Sequence, residues 1–148
     1  MVLKSRITED MKAAMRARES ARLSAIRLLL AAIKQKEVDE RIELSDADVV
    51  NIIDRMIKQR RESVAAFDAG GRPDLSASER AEIDVLQAYM PLPLSGADVE
   101  AMIEAALASA GASGPAAMGR VMSALRPQLA GRADMTEVAA KVKARLAG

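Results

Sequence analysis

The spacing of apolar residues predicts a chain built almost entirely of helices. Apolar side chains recur every three or four residues in successive segments, the longest over residues 49–67. This period places them on one face of a helix, whereas a half-buried strand would alternate apolar and polar residues. Local signals bound the long segment: Ser45 and Asp48 have the spacing of a capping box, and Gly70 and Gly71 predict its end.

Four helices are predicted before residue 91 and three after it. The fourth is expected to follow a turn at residues 72–74 and to begin with a capping box of Ser76 and Glu79. In the second half, Gly119 marks a point where a neighbouring helix is expected to approach closely. Asp134 is expected to start the last helix.

Two prolines indicate a boundary between two domains. Pro91 and Pro93 cannot continue a helix, and each favours extended backbone in the residue before it. The sequence therefore predicts an all-α fold with a four-helix N-terminal domain over residues 1–92 and a small three-helix C-terminal domain over residues 93–148.

Composition removes several classes of chemistry. The chain of 148 residues has no His and no Cys, which excludes Ser-His and Cys-His nucleophile systems, Cys/His zinc sites and disulfides. No glycine-rich phosphate loop of the Walker or dinucleotide type is present. With one Phe and one Tyr, it lacks the aromatic platforms of single-strand RNA readers. We therefore expect no catalytic residues, no metal and no cofactor.

The N-terminal segment and the hydropathy of the chain predict a protein outside the membrane. No apolar run approaches the roughly 20 residues that span a bilayer. The N-terminal segment is charged and lacks the apolar core of a signal peptide. The expected location is the cytoplasm.

Charge is separated along the chain, although the net charge is only +1. Residues 1–36 hold nine basic residues against three acidic ones, and residues 37–54 hold seven acidic residues against Arg41. A separated field of this kind can steer a polyanion, or it can be neutralised by a neighbouring helix. The pattern alone leaves both interpretations open.

One arginine falls on the apolar face of the longest predicted helix. At 100° per residue, Arg60 shares the face of Ile53, Met56 and Ile57. An unpaired charge at a buried position is costly, so we predict an ion pair that joins helices of the N-terminal domain. The alternative is that Arg60 lines a groove and binds a phosphate or carboxylate ligand. The candidate carboxylates for the ion pair are Glu37 and Glu82.

Four basic residues of the second domain are candidates for RNA contacts. They lie off the predicted apolar faces or in the turn between helices, and basic side chains there suit phosphate contacts that do not read base sequence. The alternative is that they are ordinary solubilising charges. The four are Arg120, Arg132, Lys141 and Lys143.

The chain resembles the GatB/YqeY family, and the resemblance covers essentially its whole length. The pieces that carry it occur in the family's order along the chain. They are Leu23 to Lys34, Lys58-Gln59-Arg60 with Glu62-Ser63, Gly71-Arg72 with Asp74-Leu75, the pair Glu79 and Glu82, Tyr89-Met90-Pro91, Met118-Gly119, and Gly131-Arg132-Ala133-Asp134.

This resemblance implies a relation to the tail of the tRNA-dependent amidotransferase B subunit, which contacts the tRNA body. It points to a non-catalytic, tRNA-associated accessory protein. An alternative is an adaptor that docks on an amidotransferase or an aminoacyl-tRNA synthetase. The family label also implies participation in glutamine-dependent carbon–nitrogen ligase activity, but no catalytic constellation is visible in the sequence, so this is the weakest of the three expectations.

Overall fold

The computed structural model describes residues 2–111, 114–129 and 131–147, and within these ranges it contains seven α-helices, one 3₁₀ turn and no strand. The all-α prediction is confirmed. The chain forms two compact units, Met1–Met90 and Pro91–Gly148, which is compatible with the predicted boundary. The helices are α1 (Val2–Ala17), α2 (Ser20–Glu40), α3 (Asp46–Ala69), α4 (Pro73–Gln87), α5 (Gly96–Ala110), α6 (Met118–Leu129) and α7 (Met135–Ala147), with the 3₁₀ turn at Pro115–Ala117.

The first unit packs α1 to α4 around one apolar core. Helix α4 lies along α3, and α2 packs against both α1 and α4. The core consists of aliphatic side chains with one aromatic ring, which suits close helix packing. Its fully buried members include Ile7, Ile26, Leu29, Ile33, Leu44, Ile53 and Leu86.

The ends of α3 follow the predicted local signals. The Ser45 hydroxyl accepts from the Asp48 N–H at 3.2 Å, and the Asp48 carboxylate accepts from the Ser45 N–H at 3.0 Å. This is the reciprocal capping box that satisfies two free N–H groups. After Ala69, the chain turns through Gly70 and Gly71, and Gly71 has a φ of +70° that favours glycine.

The predicted start of α4 is wrong. The helix begins at Pro73, so residues 73 and 74 are helical rather than part of a turn, and Ser76 is a buried residue inside the helix rather than its cap. Proline suits the first helical position because its φ is already helical and its missing N–H would have no intrahelical acceptor there.

The second unit has its own core, formed by α5, α6 and α7. Buried members include Ile103, Val121, Leu125, Leu129 and Val142. Part of the connection between α5 and α6, residues 112 and 113, lies outside the described residues.

Two features of the second unit test the local predictions. Asp134 caps α7, since its carboxylate accepts from the Thr136 N–H at 2.9 Å. The close helix approach expected at Gly119 is absent, because a Cβ at that position would meet nothing within 4 Å. Gly119 is on the exposed side of α6, where a small residue does not allow closer packing. Among the described helices, none is both long and apolar enough to cross a membrane.

Candidate nucleic-acid interface

Arg60 forms a partly buried ion pair with Glu82. Its Nε lies 2.7 Å from Glu82 Oε2, and the two side chains are 15% and 26% exposed. One terminal nitrogen of Arg60 also donates to the Met56 carbonyl at 3.3 Å, within the same helix. The pair therefore joins α3 to α4. These contacts occupy part of the guanidinium group, which in the alternative interpretation would bind a phosphate or carboxylate ligand.

Glu37, the other candidate partner, does not pair with Arg60. Both its carboxylate oxygens accept from Lys4 Nζ, at 2.7 and 2.9 Å, and one also accepts from the Leu44 N–H at 3.0 Å. The Lys4 hydrogen bond, followed by the Leu44 N–H, lowers the pKa of Glu37 below its ordinary value. Glu37 thus ties α1 to the segment that follows α2.

A second polar network, which the sequence did not indicate, surrounds Tyr89. This residue is 6% exposed, and its hydroxyl donates to Asp10 at 2.6 Å. The guanidinium of Arg6 lies 5.0 Å from the centre of the ring, and Arg22 lies 4.0 Å from Asp10. Burial and the Asp10 carboxylate raise the pKa of Tyr89 to about 12. The network is structural, since it holds α1 against the chain that follows α4.

Two of the four predicted RNA contacts are exposed and unpaired. Arg120 lies on the side of α6 away from Val121 and Leu125, and Lys143 lies on α7 beside the buried Val142. In the described part of the chain, neither side chain has a carboxylate within 4.0 Å. Each can therefore meet a phosphate without first breaking an ion pair.

Lys141, the third candidate, is held within the unit. Its Nζ lies 3.2 Å from Glu100 on α5, and Arg145 lies 2.6 Å from Glu100 and 2.9 Å from Glu104. The Lys141 hydrogen bond, with the charges of Lys141 and Arg145, lowers the pKa of Glu100. Glu100 therefore competes with any external anion for Lys141.

Arg132, the fourth candidate, forms hydrogen bonds with the first residues of the second unit. Its Nε donates to the Leu92 carbonyl at 3.3 Å, and its own carbonyl accepts from the Leu94 N–H at 3.0 Å. The residue is half-buried in the turn between α6 and α7. Its contacts fix the extended segment before α5, so Arg132 has a structural role whether or not it meets RNA.

A groove of about 430 Å³ in the first unit holds basic residues that the sequence analysis did not single out. It lies along the turn from α1 to α2 and is lined by Arg18, Ser20, Leu23, Ser24, Arg27 and Leu28. Both arginines are exposed. The only sequence signal for them was the excess of basic residues before position 37.

Acidic clusters that could hold a metal are absent from the part of the chain that the structure describes: no group of three or more carboxylates converges there. The exposed basic side chains described above can bind an external ligand of opposite charge. The charge of these side chains suits an anionic ligand.

Comparison with known proteins gives both a family and curated relatives. A family model described as Yqey-like protein matches residues 4–146. A protein of Eremothecium gossypii named Altered inheritance of mitochondria protein 41, mitochondrial, is 39% identical over 94 residues, which are 62% of this chain and 51% of the relative. Proteins of the same name in Saccharomyces cerevisiae and Lachancea thermotolerans are 38% identical over 88 residues and 32% identical over 112 residues.

The shares covered are 58% of this chain and 48% of the Saccharomyces protein, and 74% of this chain and 60% of the Lachancea protein. The chain thus spans about half the length of the first curated relatives that it matches. Their names correct one expectation: these relatives are named as mitochondrial proteins, which contradicts the cytoplasmic location expected from the sequence. With a family match that leaves out only a few residues at each end, the chain belongs to the YqeY-like family.

Proposed function

We propose that this protein is a non-catalytic accessory protein that binds tRNA through its phosphate backbone. The observation that carries the proposal is the pair of exposed, unpaired cations Arg120 and Lys143 on neighbouring helices of the second unit. A cation that has no ion-pair partner within the protein can bind a phosphate without first breaking an ion pair. The resemblance to the tail of the amidotransferase B subunit supports tRNA as the RNA.

The composition limits how the RNA is recognised. The single Tyr is buried and the single Phe is half-buried, so no stacking platform for bases is available. Arginine and lysine contacts to phosphates position a protein on a folded RNA without reading its sequence. The proposed activity is therefore recognition of RNA shape and backbone, with affinity that falls as salt rises.

The test is a binding titration with charge-removal variants of the full chain. Wild type and the Arg120→Gln/Lys143→Gln double variant are titrated into fluorescently labelled tRNA across a series of salt concentrations. The control is Lys12→Gln/Lys58→Gln, which removes the same charge from two exposed residues of the first unit that are already in ion pairs. The proposal expects the Arg120/Lys143 variant to bind more weakly than the control, and equal affinities for the two variants would overturn it.

A protein-docking adaptor is the second candidate, and one observation favours it. Three large apolar side chains of α2 and the turn after it are exposed: Leu28 is 47%, Val38 62% and Ile42 49% exposed. Large apolar side chains exposed at the surface are common at protein-binding sites. The adaptor predicts association with an amidotransferase or an aminoacyl-tRNA synthetase that survives ribonuclease. Loss of the association after ribonuclease treatment would rule the adaptor out.

A further inference from the structure

We infer that the groove along the α1–α2 turn binds backbone phosphates of the same RNA, with Arg18 and Arg27 as its anion-binding residues. This inference rests on the proposed function and extends it from the second unit to the first.

The two arginines are free to bind a ligand. Among the described residues, neither Arg18 nor Arg27 has a carboxylate within 4.0 Å, whereas Arg60 and Arg80 of the same unit are paired at 2.7 and 2.6 Å. The acidic residue next to the groove, Glu19, lies 3.8 Å from Arg22 and is not part of the lining. The lining of the groove therefore contains two guanidinium groups and no carboxylate.

The remaining lining fits a phosphodiester. The hydroxyls of Ser20 and Ser24 lie one helical turn apart and can donate to phosphate oxygens. Guanidinium groups bind phosphate oxygens in a bidentate manner. Leu28, which is 47% exposed, adds an apolar wall that can contact a ribose or a base.

The cations continue in a row beyond the groove, which favours a polyanion over a single small phosphate. Lys34 is exposed on the same side of α2 as Arg27, two turns further along. Seven residues of helix correspond to about 10.5 Å, enough to span more than one phosphate of a nucleic-acid strand. A row of this length suits a phosphate backbone that runs along α2.

The backbone at Arg18 is left-handed, a conformation that carries a cost for a residue with a side chain. Arg18 has a φ of +57°, and its N–H donates to the Met15 carbonyl while the Glu19 N–H donates to the Ala14 carbonyl. This is the helix-ending motif in which glycine is the usual residue at the left-handed position. Replacement of Arg18 by Gly therefore removes the charge and keeps the backbone conformation.

The experiment compares two double variants with wild type in salt-dependent binding of labelled tRNA. Arg18→Gly/Arg27→Gln removes the two groove cations, and Arg55→Gln/Arg61→Gln removes two exposed, unpaired cations of α3 outside the groove. Circular dichroism and thermal melting establish that each variant is folded. The inference expects the slope of log affinity against log salt to fall by about two for the groove variant, because each lost phosphate contact lowers it by about one. The α3 variant keeps the wild-type slope.

Equal slopes for wild type and the groove variant, with tRNA binding intact, would overturn the groove and leave the proposed function standing. An equal decrease of the slope in both double variants would also overturn the groove, since it would show that tRNA binding depends on total charge and not on these two residues. Absence of tRNA binding by wild type would overturn both proposals. Chemical-shift changes at Ser20 and Ser24 with inorganic phosphate, but none with tRNA, would assign the groove to small phosphorylated molecules and overturn the RNA assignment.

Discussion

Removal of either side of the Arg60–Glu82 ion pair is expected to destabilise the first unit. The two charges lie 2.7 Å apart, with side chains 15% and 26% exposed. At an effective dielectric constant of about 20, charges about 4 Å apart attract by several kcal/mol. The cost of removing both groups from water offsets much of that attraction. A net coupling of about 1–2 kcal/mol remains for a partly buried, charge-assisted hydrogen bond.

The assay is a double-mutant cycle with Arg60→Met, Glu82→Gln and the double variant, measured by urea unfolding. Each single variant is expected to lower the free energy of unfolding by at least about 1–2 kcal/mol. In a thermal melt this corresponds to a decrease in Tm of about 4–16 °C, since 1 kcal/mol shifts Tm by roughly 4–8 °C in a domain of this size. The control cycle uses Lys58 and Asp54 on the same helix, which are 3.0 Å apart with side chains 61% and 36% exposed. An exposed pair four residues apart is expected to couple by only about 0.3–0.5 kcal/mol.

An Arg60–Glu82 coupling energy no larger than that of Lys58–Asp54 would show that the partly buried pair does not stabilise the first unit. Unchanged stability of Arg60→Met together with lost tRNA binding would instead give Arg60 the ligand-binding role that the sequence left open. Reduced stability with unchanged tRNA binding is the result that the observed contacts predict.

Three further predictions follow from individual contacts. Glu100→Gln releases Lys141 and Arg145 from their ion pairs, so it is expected to strengthen tRNA binding. The control is Glu137→Gln, which changes the net charge equally but breaks no described ion pair, and it should strengthen binding less. Equal effects of the two variants in the titration would show that Glu100 does not compete with RNA. Arg18→Gly is expected to raise the free energy of unfolding by about 0.5–1 kcal/mol and to weaken tRNA binding, because glycine adopts the left-handed conformation without strain. A lower free energy of unfolding in urea would contradict the claim that arginine is strained at this position. The pKa of Glu37 is lower in the folded protein than its ordinary value near 4.5, so its ion pair with Lys4 stabilises the protein fully above pH 4.5 and loses this effect as pH falls through the folded pKa. Wild type is therefore expected to be more stable than Glu37→Gln at neutral pH, and the difference should vanish in acid. A stability difference that is constant with pH would contradict this prediction.

The sequence predicted those parts of the fold that local chemistry determines. The start of α3 follows from the Ser45–Asp48 capping box, and its end follows from Gly70 and Gly71. The start of α4 was missed because Pro73 followed by Asp74 is compatible both with a turn and with the first turn of a helix. Only the packing of α4 along α3 decides between them.

The candidate site was less predictable because it depends on contacts between distant residues. Periodicity placed Arg60 on an apolar face, but the choice of Glu82 over Glu37 depends on how α4 packs. The competition of Glu100 for Lys141 likewise requires α5 to lie beside α7. Arg18 gave no sequence signal, because arginine is an unexpected residue at a left-handed helix end.

The most direct test of the central claim is an anisotropy titration of the wild-type chain with labelled tRNA at low and physiological salt, with duplex DNA as competitor. Backbone and shape recognition predicts saturable tRNA binding that weakens with salt yet persists against DNA at physiological salt. No binding, or binding to tRNA and DNA that is equal and disappears at physiological salt, would contradict RNA recognition.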